Sequence, residues 1–223
     1  MAWDPVWEEI FRQRDSWGKY PPEELVRFIA RSYYQVPHRA AIKVLEVGCG
    51  PGSGPSWFIA REGFSLSGID GSPTAIAKAK ANFSKENLHG EFVVGDLAEL
   101  PWPEDYFDCV IDVHCLQCND EPDTRTIISQ IHRVLKPGGK HFSSTVGRGT
   151  WGDASGKVVD GTTVTAISEG PLSGMGVNRF ATSESLLDLY ASFQSIELNY
   201  SVRSMDYTAH EIKNWILTCS KPL

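Results

Sequence analysis

Val44-Leu45-Glu46-Val47-Gly48-Cys49-Gly50-Pro51-Gly52-Ser53-Gly54 decides how this chain is read. The apolar, β-branched run that starts at Ile42 predicts a buried strand, interrupted by one carboxylate, Glu46. Glycine then takes alternate positions, 48, 50, 52 and 54. Residues without a Cβ tolerate positive φ and let a ligand lie against the backbone. The stretch Ser56 to Arg61 can open a helix whose first amides face the same point. Strand, glycine turn and helix together predict a nucleotide-type site at the carboxyl end of a parallel strand.

The glycine spacing narrows the ligand. A pyrophosphate turn carries G-x-G-x-x-G. Counted from Gly48 the sixth position is Ser53, and counted from Gly50 it is Pro55. The pattern is instead E-x-G-x-G-x-G, with Glu46 two places before the first glycine. An anionic side chain there suits a cationic ligand better than a pyrophosphate. Val44 to Gly52 resembles the first motif of the class I S-adenosylmethionine-dependent methyltransferases of small-molecule type. The resemblance implies S-adenosylmethionine as cofactor, bound along Glu46, Gly48, Cys49, Gly50 and Gly52.

Composition sets the outer bounds. The 223 residues with 41% hydrophobic content predict one soluble domain with a full core. No apolar run approaches the roughly 20 residues of a membrane span. The first residues lack the basic and apolar regions of a secretory signal, so a cytoplasmic location and no membrane partner are expected. The five cysteines are odd in number and unevenly spaced, which predicts free thiols. A net charge of −7 opposes a nucleic-acid partner. Lys78, Lys80 and Lys85 are read as a solvated helix face.

Before the first strand, Trp3 to Ser16 is predicted as a helix capped by Asp4, with Val6, Trp7, Ile10 and Phe11 on one face. A second helix spans Pro22 to Tyr34. The resemblance implies that such a cap closes over the cofactor. Trp17 and Tyr20 are then candidates for its sulfonium end, since an aromatic face attracts a cation; both can equally pack the cap onto the core. Phe64 to Asp70 is the second strand. Asp70 stands about 20 residues past the glycines, where an acid accepts from ribose hydroxyls. Gly71 and Ser72 border the same site, and Ser72 with Pro73 opens a helix over Thr74 to Asn87. Glu91 to Asp96 is the third strand. The resemblance implies that Asp96 accepts from the adenine amino group and that Leu97 offers a backbone amide.

Phe107 to His114 is the fourth strand, with Asp108 structural. The resemblance sets the carboxyl end of this strand at the transferred methyl, so Asp112 and Val113 join the cofactor set and Gln117 and Cys118 stand at the reaction site. His114 is the first candidate general base, because histidine titrates near neutrality, and Asp112 is the second. A histidine paired within the core is the competing reading of His114. Cys115-Leu116-Gln117-Cys118 has the form of a metal or redox pair, but no second pair follows at zinc-site spacing, and no metal is expected. Asp123 to Leu135 is an amphipathic helix, stopped by the glycines of Leu135-Lys136-Pro137-Gly138-Gly139. That pentapeptide is a second match to the same family, and Lys140 to Val146 is the fifth strand.

Residues 147–180 turn irregular and glycine-rich, with a short strand at Thr162 to Ile167, and are expected to be a lid or binding loop. Arg179 there either meets an anionic substrate group or makes a surface salt bridge. A helix capped by Thr182 or Ser183 follows, then strands Ser195 to Arg203 and Glu211 to Cys219.

The expected fold is a doubly wound α/β domain over 1–223. It has a helical N-terminal cap (1–39), a cofactor core (40–146), the lid (147–180) and a C-terminal helix and hairpin (181–223). The resemblance implies a seven-stranded sheet of order 3-2-1-4-5-7-6 with the last strand antiparallel. It also implies methyl transfer from S-adenosylmethionine to a small-molecule nucleophile, giving S-adenosylhomocysteine. No Asn/Asp-Pro-Pro-Tyr sequence follows the fourth strand, which speaks against methylation of nucleic-acid bases. An NAD(P)-dependent oxidoreductase, opposed by the glycine spacing, and a non-catalytic S-adenosylmethionine-binding regulatory domain are the alternatives.

Overall fold

The computed structural model describes residues 3–14 and 18–223. Trp17 lies outside the described residues. The chain opens with helices α1 (Val6–Gln13) and α2 (Glu23–Tyr33). It then alternates β1 (Lys43–Val47), α3 (Pro55–Arg61), β2 (Ser65–Asp70), α4 (Pro73–Lys85), β3 (Glu91–Val94), β4 (Phe107–Val113), α5 (Glu121–Val134) and β5 (Leu135–Val146). Three short strands follow, β6 (Lys157–Asp160), β7 (Thr163–Thr165) and β8 (Asn178–Arg179). Helix α6 (Ser183–Leu189) and the hairpin β9 (Gln194–Met205) and β10 (His210–Ser220) complete the chain.

The large sheet has order β3-β2-β1-β4-β5-β10-β9. Its first five strands are parallel, and β10 runs antiparallel to both neighbours. Counted within this sheet alone, the order is the expected 3-2-1-4-5-7-6. The strand order reverses between β1 and β4, so a crevice opens at their carboxyl ends. Strand alternation explains why β1 reads as nearly continuous apolar sequence: successive side chains feed opposite cores. Leu45 and Val47 pack with Ile127 and Ile131 on the α5 side. Val44 packs with Ile29, Ile59 and Ile76 on the other. Asp108 is structural, accepting from the Lys43 amide at 2.8 Å and pairing with Lys136 at 2.6 Å.

The N-terminal helix is tied to the site by polar contacts. Asp4 Oδ1 accepts from the Val6 amide at 3.0 Å, which caps α1. Glu8 accepts from the hydroxyls of Ser72 and Thr74 at the start of α4. Lys78 does not belong to a purely solvated face: its Nζ donates to the Phe11 carbonyl at 2.7 Å, at the carbonyl-rich end of α1.

Three sequence-based expectations need correction. Helix α5 begins at Glu121, earlier than Asp123, because Asp120 caps it by accepting from the Asp123 amide at 2.9 Å. It does not end on a left-handed glycine. Leu135 is already extended, with ψ 138°, and Pro137 disfavours helical backbone at Lys136. Gly138, at φ +73°, instead turns the chain beside the C-terminus, its amide donating to Lys221 O at 3.0 Å. Residues 147–180 are more regular than expected, holding a three-stranded sheet of order β6-β7-β8. Thr182, with Ser185, makes the α6 capping box. Among the described residues, no helix is long and apolar enough to cross a membrane, and all five cysteines are free.

Phe142 at the centre of β5 is fully buried, its ring 5.4 Å from that of Phe28 on α2. Phe142→Ala should lower the unfolding free energy by about 3–5 kcal/mol in urea titration. A loss under about 1 kcal/mol would show that α2 is not packed on the sheet as described.

Candidate cofactor and active site

A cavity of about 500 Å³ opens at the carboxyl ends of β1, β2 and β4. Gly48, Gly50 and Gly54 line it, at φ +65°, +52° and +68°. A Cβ at Gly48 would come within 2.0 Å of Cys115 Sγ, so only glycine lets β1 pass the loop after β4. At Gly50 a Cβ would lie 3.3 Å from the Phe11 ring, on the side where α1 covers the turn. Gly52 does not line the cavity; a Cβ there would meet Ala79 at 3.0 Å, so this glycine serves packing against α4. The Cys49 amide donates to Ile69 O at 3.1 Å, and burial pushes the Cys49 thiol pKa well up.

Two buried carboxylates border the turn. Asp70 accepts from the Gly50 amide and from the Ser72 amide, each at 2.9 Å. Burial pushes its carboxyl up to about 6, against the pull of those two amides. Glu46 accepts from the Ser56 hydroxyl, and burial holds its carboxyl well above the usual range. Both line the cavity, as do Gly71 and Leu97. Ser72 and Asp96 do not. Ser72 is turned to capping α4, accepting from the Ala75 amide at 3.0 Å, and Asp96 accepts from the Ala98 amide at 2.9 Å. Tyr20 stands at the rim, 76% exposed, edge-on to Trp57 at 5.4 Å.

Val113 and His114 also line the cavity. His114 has φ +61°, its amide donates to Ser144 O at 2.8 Å, and its Nδ1 lies 3.1 Å from Gln117 Oε1. Asp112 is a different case. It is fully buried and does not line the cavity. Its Oδ1 accepts from the amides of Cys115 at 2.9 Å and Leu116 at 3.1 Å, and its Oδ2 accepts from Ser143 Oγ at 2.7 Å. Asp112 therefore holds the turn behind the cavity, and the two base candidates are not brought together. Cys115 and Cys118 reach the cavity, but among the described residues no group of His, Cys, Asp or Glu is arranged to hold a metal ion.

Arg179 is not in a surface salt bridge. It is 1% exposed, and its Nε and Nη1 have no hydrogen-bond partner among the described residues. Sequence reasoning also missed the aromatic wall. Trp3, Trp7 and Phe11 line the cavity, and Trp3 lies over Gly71, where a Cβ would come within 2.3 Å of its ring. Helical spacing marked Trp7 and Phe11 as one face, but spacing does not say what that face covers.

The Asp70 carboxyl titrates higher folded than the unfolded value of about 3.9. Its ionised form is therefore disfavoured by folding. The cost is full above pH 6 and is relieved as pH falls through 6 toward 4. The stability difference between wild type and Asp70→Asn should change by up to about 3 kcal/mol between about pH 4 and pH 7, wild type gaining at the acid end. Urea titrations across that range check it; a difference independent of pH would contradict the buried setting of Asp70.

Comparison with known proteins gives this geometry a family. Residues 44–139 match the family model described as a methyltransferase domain. The chain is 37% identical over 127 residues to the sterol 24-C-methyltransferase ERG6 of Saccharomyces cerevisiae, covering 54% of this chain and 32% of that protein. It is 34% identical over 125 residues to a fatty-acid O-methyltransferase of Mycolicibacterium smegmatis, covering 52% and 43%. The chain thus spans about a third to a half of the length of the curated relatives it matches. A crystal structure of a SAM-dependent methyltransferase from Methanosarcina mazei superposes with a TM-score of 0.71 at 24% identity, covering 87% of this chain and 97% of that one, which speaks for the fold. Residues 44–139, set in a sheet of this order, thus match a methyltransferase domain in sequence and a SAM-dependent methyltransferase in fold.

Proposed function

We propose that the protein transfers the methyl group of S-adenosylmethionine to a nucleophilic atom of a small-molecule acceptor, leaving S-adenosylhomocysteine. One observation carries this reading: the glycine turn, Asp70 and His114 all line one cavity. Its volume, about 500 Å³, falls in the range of roughly 300–1,000 Å³ usual for ligand pockets. The residues fit the cofactor. A carboxylate has about four lone-pair sites, so Asp70 retains acceptors for ribose hydroxyls after binding two amides. Glu46 offers a buried carboxyl that the ammonium of the amino-acid tail would draw into its ionised form. Trp3 and Phe11 offer flat apolar walls, and Gly48, Gly50, Gly71, Leu97 and Val113 offer close backbone. Tyr20 is assigned to the sulfonium end, and Asp96 and Ser72 to support of the loops around the nucleoside.

When bound, the cofactor supplies a methyl carbon on a cationic sulfur: the acceptor's lone pair forms the new bond and the carbon–sulfur pair stays with sulfur. The chain orients the acceptor, excludes water and takes a proton. His114 is the base for a hydroxyl acceptor; Asp112, with both oxygens engaged, is assigned no proton transfer. The aromatic wall and the relatives named for sterols and fatty acids favour an apolar acceptor. Residues 1–39 and 147–180 are assigned to cap and lid around the core at 40–146, with 181–223 closing a single domain. A cytoplasmic location suits five free thiols, and the net charge of −7 disfavours a nucleic-acid acceptor.

Calorimetric titration of S-adenosylhomocysteine and of NADH into the same protein tests the donor. Heat is expected with the first and none with the second; the reverse would return the oxidoreductase reading. Labelled cofactor offered with pools of sterols and fatty acids tests the acceptor, and no transfer to any pool would favour a regulatory domain. His114→Ala should slow transfer by about 10²–10⁴-fold while sparing homocysteine-adenosine affinity. Full turnover in that variant would remove His114 as base.

A further inference from the structure

Gln117 lies in the turn Leu116–Cys118 and is 2% exposed. Its amide orientation is fixed without reference to any histidine. The Val146 amide donates to Gln117 Oε1 at 2.8 Å, and a backbone N–H can only donate, so the atom it meets is the oxygen. Gln117 Nε2 then faces Asn178 Oδ1 at 3.5 Å. Asn178 is oriented in turn, because its Nδ2 donates to the Met175 carbonyl at 3.1 Å. The same Gln117 oxygen lies 3.1 Å from His114 Nδ1. Oxygen of an amide offers no proton, so this contact is a hydrogen bond only when Nδ1 carries one. In the neutral imidazole the lone pair is then on Nε2. The ring's position is held as well. His114 sits at φ +61°, a conformation uncommon for non-glycine residues, and its amide is fixed on Ser144 O.

We propose that Gln117 is a positioning residue that holds His114 in the Nδ1–H tautomer, leaving Nε2 as the atom that accepts the acceptor's proton. The catalytic meaning of this rests on His114 being the base; the tautomer itself does not. When the acceptor hydroxyl gives up its proton, that proton goes to Nε2. The resulting imidazolium keeps its Nδ1–H on the Gln117 oxygen, so no ring rotation or second proton movement is needed. Through Asn178 the same hydrogen-bond chain reaches β8, which links the imidazole to the 147–180 segment.

Nitrogen-15 NMR of the protein labelled at the histidine rings reads the tautomer directly. The chain has six histidines, and the His114 signals are assigned by their loss in His114→Ala. At neutral pH, wild-type His114 is expected with Nδ1 protonated, the minority form of a free imidazole. Gln117→Met, similar in shape but without the oxygen, should turn the ring to the Nε2–H form. Gln117→Glu, which still offers oxygen to both Val146 and His114, should retain Nδ1–H. An Nε2–H signal in the wild type would overturn the proposal, and so would an Nδ1–H signal that persists in folded Gln117→Met. If Gln117→Met does not fold, the wild-type and Gln117→Glu spectra decide. Failure of His114 as base appears separately, as full turnover of His114→Ala.

Discussion

The carboxylate of Asp70 is the constraint on which the site depends. With one oxygen it receives the Gly50 amide and with the other the Ser72 amide. The first sits in the turn after β1, the second at the start of α4. A single buried charge thus spans two loops from adjacent parallel strands and sets the width of the crevice between them. The arrangement works because β1 and β2 are in register, Val47 opposite Ile69, so their loops emerge at one height. It also works because glycine at 48 and 50 lets the turn bend with positive φ and offer its amide. The energy cost of burying the charge is met only partly by the two amides, which is why the carboxyl is held near 6. A site that keeps this acceptor under tension is suited to a ligand with hydroxyls to donate.

A second buried carboxylate does the matching work on the other side of the strand reversal. Asp112 binds the amides of Cys115 and Leu116 and the hydroxyl of Ser143, and so shapes the turn after β4. His114 rides on that turn and reaches the cavity. The N-terminal helix closes the remaining side, its Glu8 on the hydroxyls of α4 and its Phe11 over Gly50. The glycine turn, the turn that carries His114 and the N-terminal cover are thus three separate elements, each fixed by a polar contact that the apolar core does not supply.

Much of this was legible in residues near one another in sequence. The apolar run ending in alternate glycines, the acid Asp70 closing the second strand, and the Ser72-Pro73 helix start are local signals, and each follows from backbone rules that act over a few residues. What failed were inferences about facing. Gly52 looked equivalent to Gly50, yet it meets Ala79 rather than the cavity. Of the two readings of Arg179, the surface salt bridge fails: the side chain is buried, with Nε and Nη1 unpartnered among the described residues. Asp112 and His114 were both expected at the reaction site, at the carboxyl end of the fourth strand. The chain turns at His114, with φ +61°, and Asp112 is buried in the core while His114 lines the cavity.

By itself the sequence determined the fold class, the strand order through its family resemblance, and the end of the sheet where a ligand would bind. Periodicity, capping and glycine spacing are short-range properties and need no knowledge of the partner surface. The tertiary structure alone decided which acid lines the cavity, which aromatic rings cover it, and which nitrogen of His114 is held. Those depend on contacts between residues far apart in the chain, such as Gln117 with Val146 and Phe11 with Gly50, and no local rule encodes them.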